Sequence, residues 1–152
     1  MREVKINLFN IIIYDDVYRD AMISMIKEAR ISLGLEPNIR EDLYDVKKNY
    51  LDKGDGFFLA LQNNEVIGCL GFSLIPKTYE AFLHRFYIKA SLKHQGIGSK
   101  LLKFVENKMK MEKIKISKVH LGGEKDIWFE SYNFYPKHGY SEYEPRYMKK
   151  EL

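Results

Sequence analysis

The chain has little cysteine and no long apolar run. Its single cysteine, Cys69, excludes a disulfide within the chain, which is typical of proteins from a reducing compartment. No apolar stretch approaches the roughly 20 residues that a membrane-spanning helix needs. The charged segment 1–7 lacks the pattern of a secretory signal peptide. We therefore expect a soluble, cytoplasmic protein rather than a disulfide scaffold or a membrane span.

The chain also lacks a strong charge excess. Its net charge is only +4, and the Lys-rich stretch 108–118 carries much of that. Nucleic-acid binding favours a denser basic patch with interleaved aromatic residues, so it is the weaker interpretation. A mild positive bias is equally compatible with a small anionic cofactor. No Cys and His residues have metal-ligand spacing, and no Ser or Cys nucleophile pattern stands out. The sequence therefore predicts no metal.

Hydrophobic periodicity predicts a single α+β domain over residues 1–152. The predicted strands are 9–14, 57–62, 66–75, 82–88, 117–121, 140–143 and 146–151. Four helices are predicted. The first covers residues 17–33, and the second follows a capping pattern at Asn38 and Glu41 and runs to the Gly54 turn. The third runs from the Gly96 turn to about Met111, and the fourth covers 126–137. Asn63-Asn64 has the composition of a tight hairpin turn. This order predicts a mixed sheet with helices on its faces, and parallel strands on either side of the third helix.

Residues 93–100, Lys-His-Gln-Gly-Ile-Gly-Ser-Lys, form a glycine-containing turn between a strand and an amphipathic helix. Such a turn is a suitable anion site, because backbone N–H groups converge there and the helix dipole adds positive charge. A Walker A loop requires a glycine five residues before Gly98, and there is none. A dinucleotide-binding loop requires a third glycine where Leu101 stands. Neither of these loops fits the turn.

The strand, turn and helix resemble the signature region of the GNAT (Gcn5-related) N-acetyltransferase superfamily. That family's motif is Gln/Arg-x-x-Gly-x-Gly/Ala, and residues 93–98 read Lys-His-Gln-Gly-Ile-Gly. Residues 134–140, Phe-Tyr-Pro-Lys-His-Gly-Tyr, resemble the family's late Phe-Tyr-x-Lys-x-Gly-Phe stretch, and 147–152 resemble its closing strand. The order of elements matches over nearly the whole chain. Two positions depart from the family pattern: Lys93 replaces Gln or Arg, and Trp128 stands where many members carry Asn.

The resemblance implies a GNAT-like acyl-CoA N-acyltransferase fold, with a central mixed sheet, about four helices, and parallel fourth and fifth strands that splay apart. It implies acetyl-CoA as cosubstrate and acetyl transfer to a primary amine of a small molecule or a peptide. The alternative is a GNAT-fold module that binds acyl-CoA as a sensor without turnover. Family members are frequently dimers, so a homodimer is expected.

The resemblance also assigns the cofactor-binding residues. The pyrophosphate is expected on the glycine turn, where glycines allow close approach to the backbone. The pantetheine arm is expected to pair with the backbone of the preceding strand as a pseudo-strand. The cofactor-binding residues implied are Phe86, Tyr87, Ile88, Lys93, His94, Gln95, Gly96, Ile97, Gly98, Ser99 and Lys100.

For catalysis, the resemblance implies that Tyr135 donates a proton or a hydrogen bond to the leaving thiolate. The amine must lose a proton to attack, so a general base is expected. The sequence does not decide which residue is this base. The candidates are His84, Glu80 and Glu124, and of these a histidine titrates nearest to neutral pH. The acceptor is expected to contact the first two helices and the last strand.

Overall fold

The computed structural model describes residues 9–122 and 129–152, and these form one mixed sheet of seven strands in the order β1-β2-β3-β4-β5-β7-β6. The first five strands are antiparallel neighbours except for β4 and β5, which are parallel. The predicted mixed sheet is therefore confirmed. The strands are β1 (Asn10–Ile13), β2 (Gly56–Gln62), β3 (Glu65–Leu74), β4 (Glu80–Ile88), β5 (Ile116–His120), β6 (Ser141–Glu144) and β7 (Tyr147–Glu151).

Four α-helices lie within the same described residues. They are α1 (Arg19–Ser32), α2 (Val46–Asn49), α3 (Ile97–Met111) and α4 (Phe129–Lys137). The Asp15 side chain accepts a hydrogen bond from the Val17 N–H at the turn that leads into α1. Gly34, at φ +78°, follows the end of α1 in the left-handed conformation that suits a helix C-terminus. The helix predicted over residues 17–33 therefore lies between Asp15 and Gly34, with its first turn in the 3-10 form.

The prediction of one continuous second helix is wrong. The segment consists of a 3-10 turn at Glu41–Tyr44, the four-residue α2, and a second 3-10 turn at Leu51–Lys53. The Asp45 side chain caps α2 by accepting from the Lys48 N–H, and short polar side chains of this kind compete with helical hydrogen bonding. The expected cap at Asn38 is also wrong, because Arg40 precedes the first 3-10 turn and makes no side-chain cap.

The hairpin predicted at Asn63-Asn64 is confirmed. Gln62 of β2 pairs with Glu65 of β3, which leaves two residues in the turn. Both have positive φ, 51° and 62°, as a two-residue turn of this type requires. Asparagine tolerates that conformation better than most residues, so the turn fixes the register of the two central strands.

Two apolar cores lie on opposite faces of the sheet. The α3/α4 core contains Phe72, Leu83 and Leu101, and the α1/α2 core contains Met22, Phe57 and Leu59. The amphipathic pattern of α1 and α3 explains this arrangement, because each helix buries one apolar stripe against the sheet. Within the described part of the chain, no helix is long and apolar enough to cross a bilayer.

Candidate active site

The parallel strands β4 and β5 separate at their carboxyl ends. Their paired register runs from Glu80–Ile116 to Leu83–Val119 and ends there. Beyond Leu83, β4 continues to Ile88 against β3 alone. Residues 84–88 therefore present one backbone edge that β5 does not pair, and a wedge-shaped opening lies beside it.

A cavity of about 570 Å³ occupies this opening, a size in the range of small-molecule sites. Its walls come from the end of β4, from the turn and first residues of α3, from α4, and from the end of α1. The lining residues are Ala29, Leu33, Phe86, Tyr87, Ile88, Leu92, Lys93, His94, Gly96, Ile97, Gly98, Ser99, Glu130, Ser131, Asn133, Phe134, Tyr135 and Lys137.

The amino terminus of α3 opens onto this cavity. Gly96 precedes the helix at φ +81°, a conformation that glycine adopts readily. The first helical hydrogen bond runs from the Lys100 N–H to the Gly96 carbonyl, so α3 supplies no acceptor for the N–H groups of residues 97–99. A β-carbon at position 98 would lie 3.6 to 3.7 Å from Ile88, Phe86 and Phe134. Gly98 therefore keeps the helix backbone accessible from the cavity.

Three charged or titratable side chains meet at the mouth of the cavity. The Lys93 Nζ lies 3.4 Å from Glu130 Oε2, and the His94 Nε2 lies 3.7 Å from Glu130 Oε1. Lys93 stands at the motif position where the family carries Gln or Arg. Its side chain lines the cavity and is paired there with a carboxylate from α4. Glu130 could not be predicted from the sequence, because nothing near it along the chain relates it to the glycine turn.

Tyr135 lies in the wall of the cavity. Its ring centroid is 6.3 Å from that of Phe86, 5.5 Å from Phe134 and 5.3 Å from Tyr140. Burial raises the pKa of the Tyr135 hydroxyl above its ordinary value, so the group stays protonated at neutral pH. It is able to donate a hydrogen bond into the cavity but not to act as a base.

His138, which is not among the predicted site residues, joins α4 to α3. His138 Nδ1 donates to the Phe134 carbonyl at 2.9 Å, and Nε2 lies 2.9 Å from the Ser99 hydroxyl. In the neutral imidazole, the Ser99 hydroxyl therefore donates to Nε2. The His138 ring also stacks on Phe134 at 4.3 Å. This contact fixes the helix that carries Tyr135 against the helix that carries the glycine turn.

The candidate bases are not gathered in the cavity. His84 lies on the α1/α2 side of β4, and its Nε2 is 2.7 Å from the Ser73 hydroxyl. Glu80 begins β4, at the opposite end from Ile88, and its carboxylate lies 3.1 Å from Lys118 Nζ. About 25 Å of strand separates Glu80 from Ile88. Glu124 and Trp128 lie outside the described residues.

Most of the expected cofactor residues do line the cavity, and two of them do not. Gln95 is exposed, and the Lys100 ammonium lies over the Phe9 ring at 5.6 Å from its centroid. Phe134 was also missed as a wall residue, although it opens the motif that contains Tyr135. Over residues 9–122 and 129–152, no group of three or more His, Cys, Asp or Glu residues has a geometry suited to a metal ion.

The model of the acetyltransferase (GNAT) family matches residues 18–140. The chain therefore belongs to the acetyltransferase (GNAT) family. No curated protein matches the sequence.

Solved structures share the fold over nearly the full length of both chains. An acetyltransferase of the GNAT family from Staphylococcus aureus Mu50 has a TM-score of 0.82 at 22% identity, covering 95% of this chain and 99% of that one. The PaiA N-acetyltransferase from Thermoplasma acidophilum, solved with coenzyme A, has a TM-score of 0.73 at 19% identity, with 95% and 99% covered. The ribosomal-protein-S18-alanine N-acetyltransferase from Escherichia coli has a TM-score of 0.75 at 12% identity, with 95% and 94% covered. At these identities the similarity concerns the fold.

Proposed function

We propose that the chain is an acetyl-CoA-dependent N-acetyltransferase that acts on a primary amine of a small molecule or a peptide. The observation that carries the proposal is the cavity where the amino terminus of α3, the unpaired edge of β4 and the Tyr135 wall meet. Membership of the acetyltransferase family supports it. The coenzyme A complex of the Thermoplasma relative supports the choice of donor.

The charge and lining of the cavity suit two parts of acetyl-CoA, the pyrophosphate and the pantetheine arm. The N–H groups at the start of α3 and the Lys93 ammonium are the groups we assign to the pyrophosphate. Gly98 leaves room for close approach at that point. The pantetheine amides are assigned to the backbone edge of residues 86–88, in the manner of an added strand. Phe86 and Ile88 supply apolar contact beside that edge.

The reaction proposed is direct attack of the neutral amine nitrogen on the thioester carbon. The new C–N bond forms, the C–S bond breaks, the nitrogen loses a proton and the sulfur gains one. A backbone N–H near Ile88 is assigned to the thioester oxygen, which gains charge in the transition state. The Tyr135 hydroxyl donates to the leaving sulfur. This hydrogen bond stabilises the thiolate, and the proton that the sulfur gains comes from the same hydroxyl or from water.

His84 is the preferred candidate for the base. Burial is the larger cause that lowers the pKa of His84, and the nearby Arg85 charge lowers it further. The imidazole is therefore neutral at pH 7 and able to accept a proton. Its position on the α1/α2 side of β4 suits an amine that approaches opposite the donor. Glu80 is less suited, because it is paired with Lys118 at the far end of the strand. Glu124, a homodimer and a cytoplasmic location remain predictions.

A thiol-detection assay of CoA release from acetyl-CoA, over a panel of small amines and peptides, tests this function. Peptides belong in the panel because a structural relative is a ribosomal-protein alanine acetyltransferase. Release that depends on at least one amine, with the acetylated amine seen by mass spectrometry, is the expected result. CoA binding without release on any amine would favour the sensor module. The absence of CoA binding would overturn both interpretations.

A further inference from the structure

Strand β4 contains a bulge at the point where it separates from β5. Cys69 of β3 pairs with Tyr87 and Gly71 pairs with His84. Two steps along β3 therefore match three steps along β4, so Arg85 and Phe86 share the place opposite Leu70. One extra residue in a strand is the definition of a β-bulge.

The extra residue decides which side chains reach the cavity. Ala81 and Leu83 lie in the α3/α4 core, and Phe86 and Ile88 pack against the same core. In a regular strand, residues 83 and 86 face opposite sides of the sheet. The bulge therefore returns Phe86 and Ile88 to the cavity side just where β5 stops pairing.

The backbone of the bulge is strained at Arg85. Its φ is +56°, in the left-handed region that residues with a side chain seldom adopt. Such conformations persist only where surrounding contacts enforce them. The Arg85 carbonyl accepts a hydrogen bond from the Cys69 thiol at 3.2 Å, and the Arg85 side chain makes further contacts.

The Arg85 guanidinium forms a two-pronged ion pair with Asp42, which precedes it by 43 residues. Nε lies 3.1 Å from Oδ2 and Nη2 lies 3.0 Å from Oδ1. The two side chains are only 28% and 23% exposed. The Tyr50 hydroxyl donates to the same carboxylate at 2.6 Å. Desolvation opposes ionisation of Asp42, but the hydrogen bonds from Arg85 and Tyr50 outweigh it and hold its pKa below the ordinary value.

We propose that Asp42 and Arg85 are positioning residues for the pantetheine arm. Their ion pair holds Arg85 in the left-handed conformation, and the resulting bulge presents the backbone and side chains of residues 86–88 to the cavity. Neither residue lines the cavity itself. The inference rests on the proposed function, because it assigns that edge of β4 to the arm of the donor.

The test compares two ligands on variants of Arg85. Calorimetry measures the affinity for CoA and for 3′-phosphoadenosine 5′-diphosphate, which is CoA without its pantetheine arm. Arg85→Ala removes the ion pair and keeps the strain, so CoA affinity should fall about tenfold while nucleotide affinity stays near the wild-type value. Arg85→Gly also removes the pair, but glycine accepts positive φ, so CoA affinity should recover at least in part.

Asp42→Ala should behave like Arg85→Ala. Lys47→Ala is the matched control, because it breaks the exposed Lys47–Asp52 ion pair of the same segment and should change neither affinity. If Arg85→Ala does not fold, Arg85→Lys takes its place, because lysine keeps the charge without the two-pronged contact. Its CoA affinity should fall by a smaller factor, with the nucleotide affinity again near the wild-type value.

Equal loss of both ligands, unchanged CoA affinity, or no difference between the Ala and Gly variants would overturn the inference while the proposed function stands. A wild-type chain that binds neither ligand would overturn the proposed function, and the inference with it.

Discussion

Lys93 and Glu130 form an ion pair across the mouth of the cavity, with 3.4 Å between the ammonium and Oε2. The pair joins the glycine turn at residues 93–100 to α4. It also sets a negative charge beside the groups we assign to the pyrophosphate. If the donor phosphates bind there as proposed, Glu130 competes with them for Lys93 and for His94, which lies 3.7 Å from the other carboxylate oxygen.

Replacing Glu130 by Gln should raise the affinity for CoA about two- to tenfold at low ionic strength, because Lys93 and His94 lose their competing anion. The gain should shrink in 0.5 M salt, where exposed charges are screened. Glu112→Gln makes the same change in net charge about 22 Å away at the other end of α3 and should have little effect. Calorimetric titrations that show equal or weaker binding for Glu130→Gln would contradict this prediction.

Gly96→Ala should destabilise the glycine turn. Gly96 has φ +81° and open space around it, so the penalty for a methyl group is conformational, about 1–2 kcal/mol. Gly54 provides the matched control, because it has φ +83° and equally open surroundings but does not line the cavity. Both variants should lower Tm by similar amounts, and only Gly96→Ala should weaken CoA binding. Similar CoA affinities for the two variants would contradict a role of the turn at Gly96 in CoA binding.

Tyr135→Phe should lower kcat about 10- to 100-fold and leave the Kd for acetyl-CoA nearly unchanged. The variant removes one hydrogen bond to a sulfur that becomes charged only as the C–S bond breaks. Tyr79→Phe, at a tyrosine that is 64% exposed, is the control and should keep full activity. Initial rates with the best amine from the screen give the answer, and an unchanged kcat would exclude Tyr135 as the donor to the thiolate.

His84 should make stability depend on pH. The unfolded chain binds a proton at His84 near pH 6.5, and the folded chain does so only at lower pH, because burial and Arg85 lower the pKa. The contribution of His84 to the free energy of unfolding is therefore fully present above pH 6.5. It is lost as the pH falls towards the pKa of His84 in the folded chain.

Thermal melts between pH 5 and 8 check this. His84→Gln, which cannot titrate, should lose less stability than the wild type as the pH falls. A His84→Gln curve parallel to the wild type would contradict the prediction.

The parts of the fold that depend on neighbouring residues could be predicted from the sequence. The Asn63-Asn64 turn and the Gly34 helix end follow from which residues tolerate positive φ. Strand β4 and helix α3 follow from hydrophobic periodicity, and the turn between them follows from the position of Gly96 and Gly98. Each of these is decided within a few residues along the chain.

The features that depend on distant contacts could not be predicted in the same way. Arg85 adopts positive φ beside a carboxylate 43 residues away, and Glu130 meets Lys93 only because α4 packs over the turn. One signal of the bulge was present in the sequence: the apolar alternation of Ala81 and Leu83 shifts by one residue at Phe86 and Ile88. The break of the second helix reflects local competition by Asp45, which a periodicity argument does not weigh.

The central claim is that the cavity at the start of α3 binds acetyl-CoA. Calorimetric titration of CoA into the wild-type chain and into Gly98→Leu tests it most directly, because a leucine there would extend from the helix between Phe86, Ile88 and Phe134. We expect saturable binding to the wild type and its loss in Gly98→Leu, with the variant still folded by circular dichroism. The absence of binding to the wild type, or equal binding to both, would contradict it.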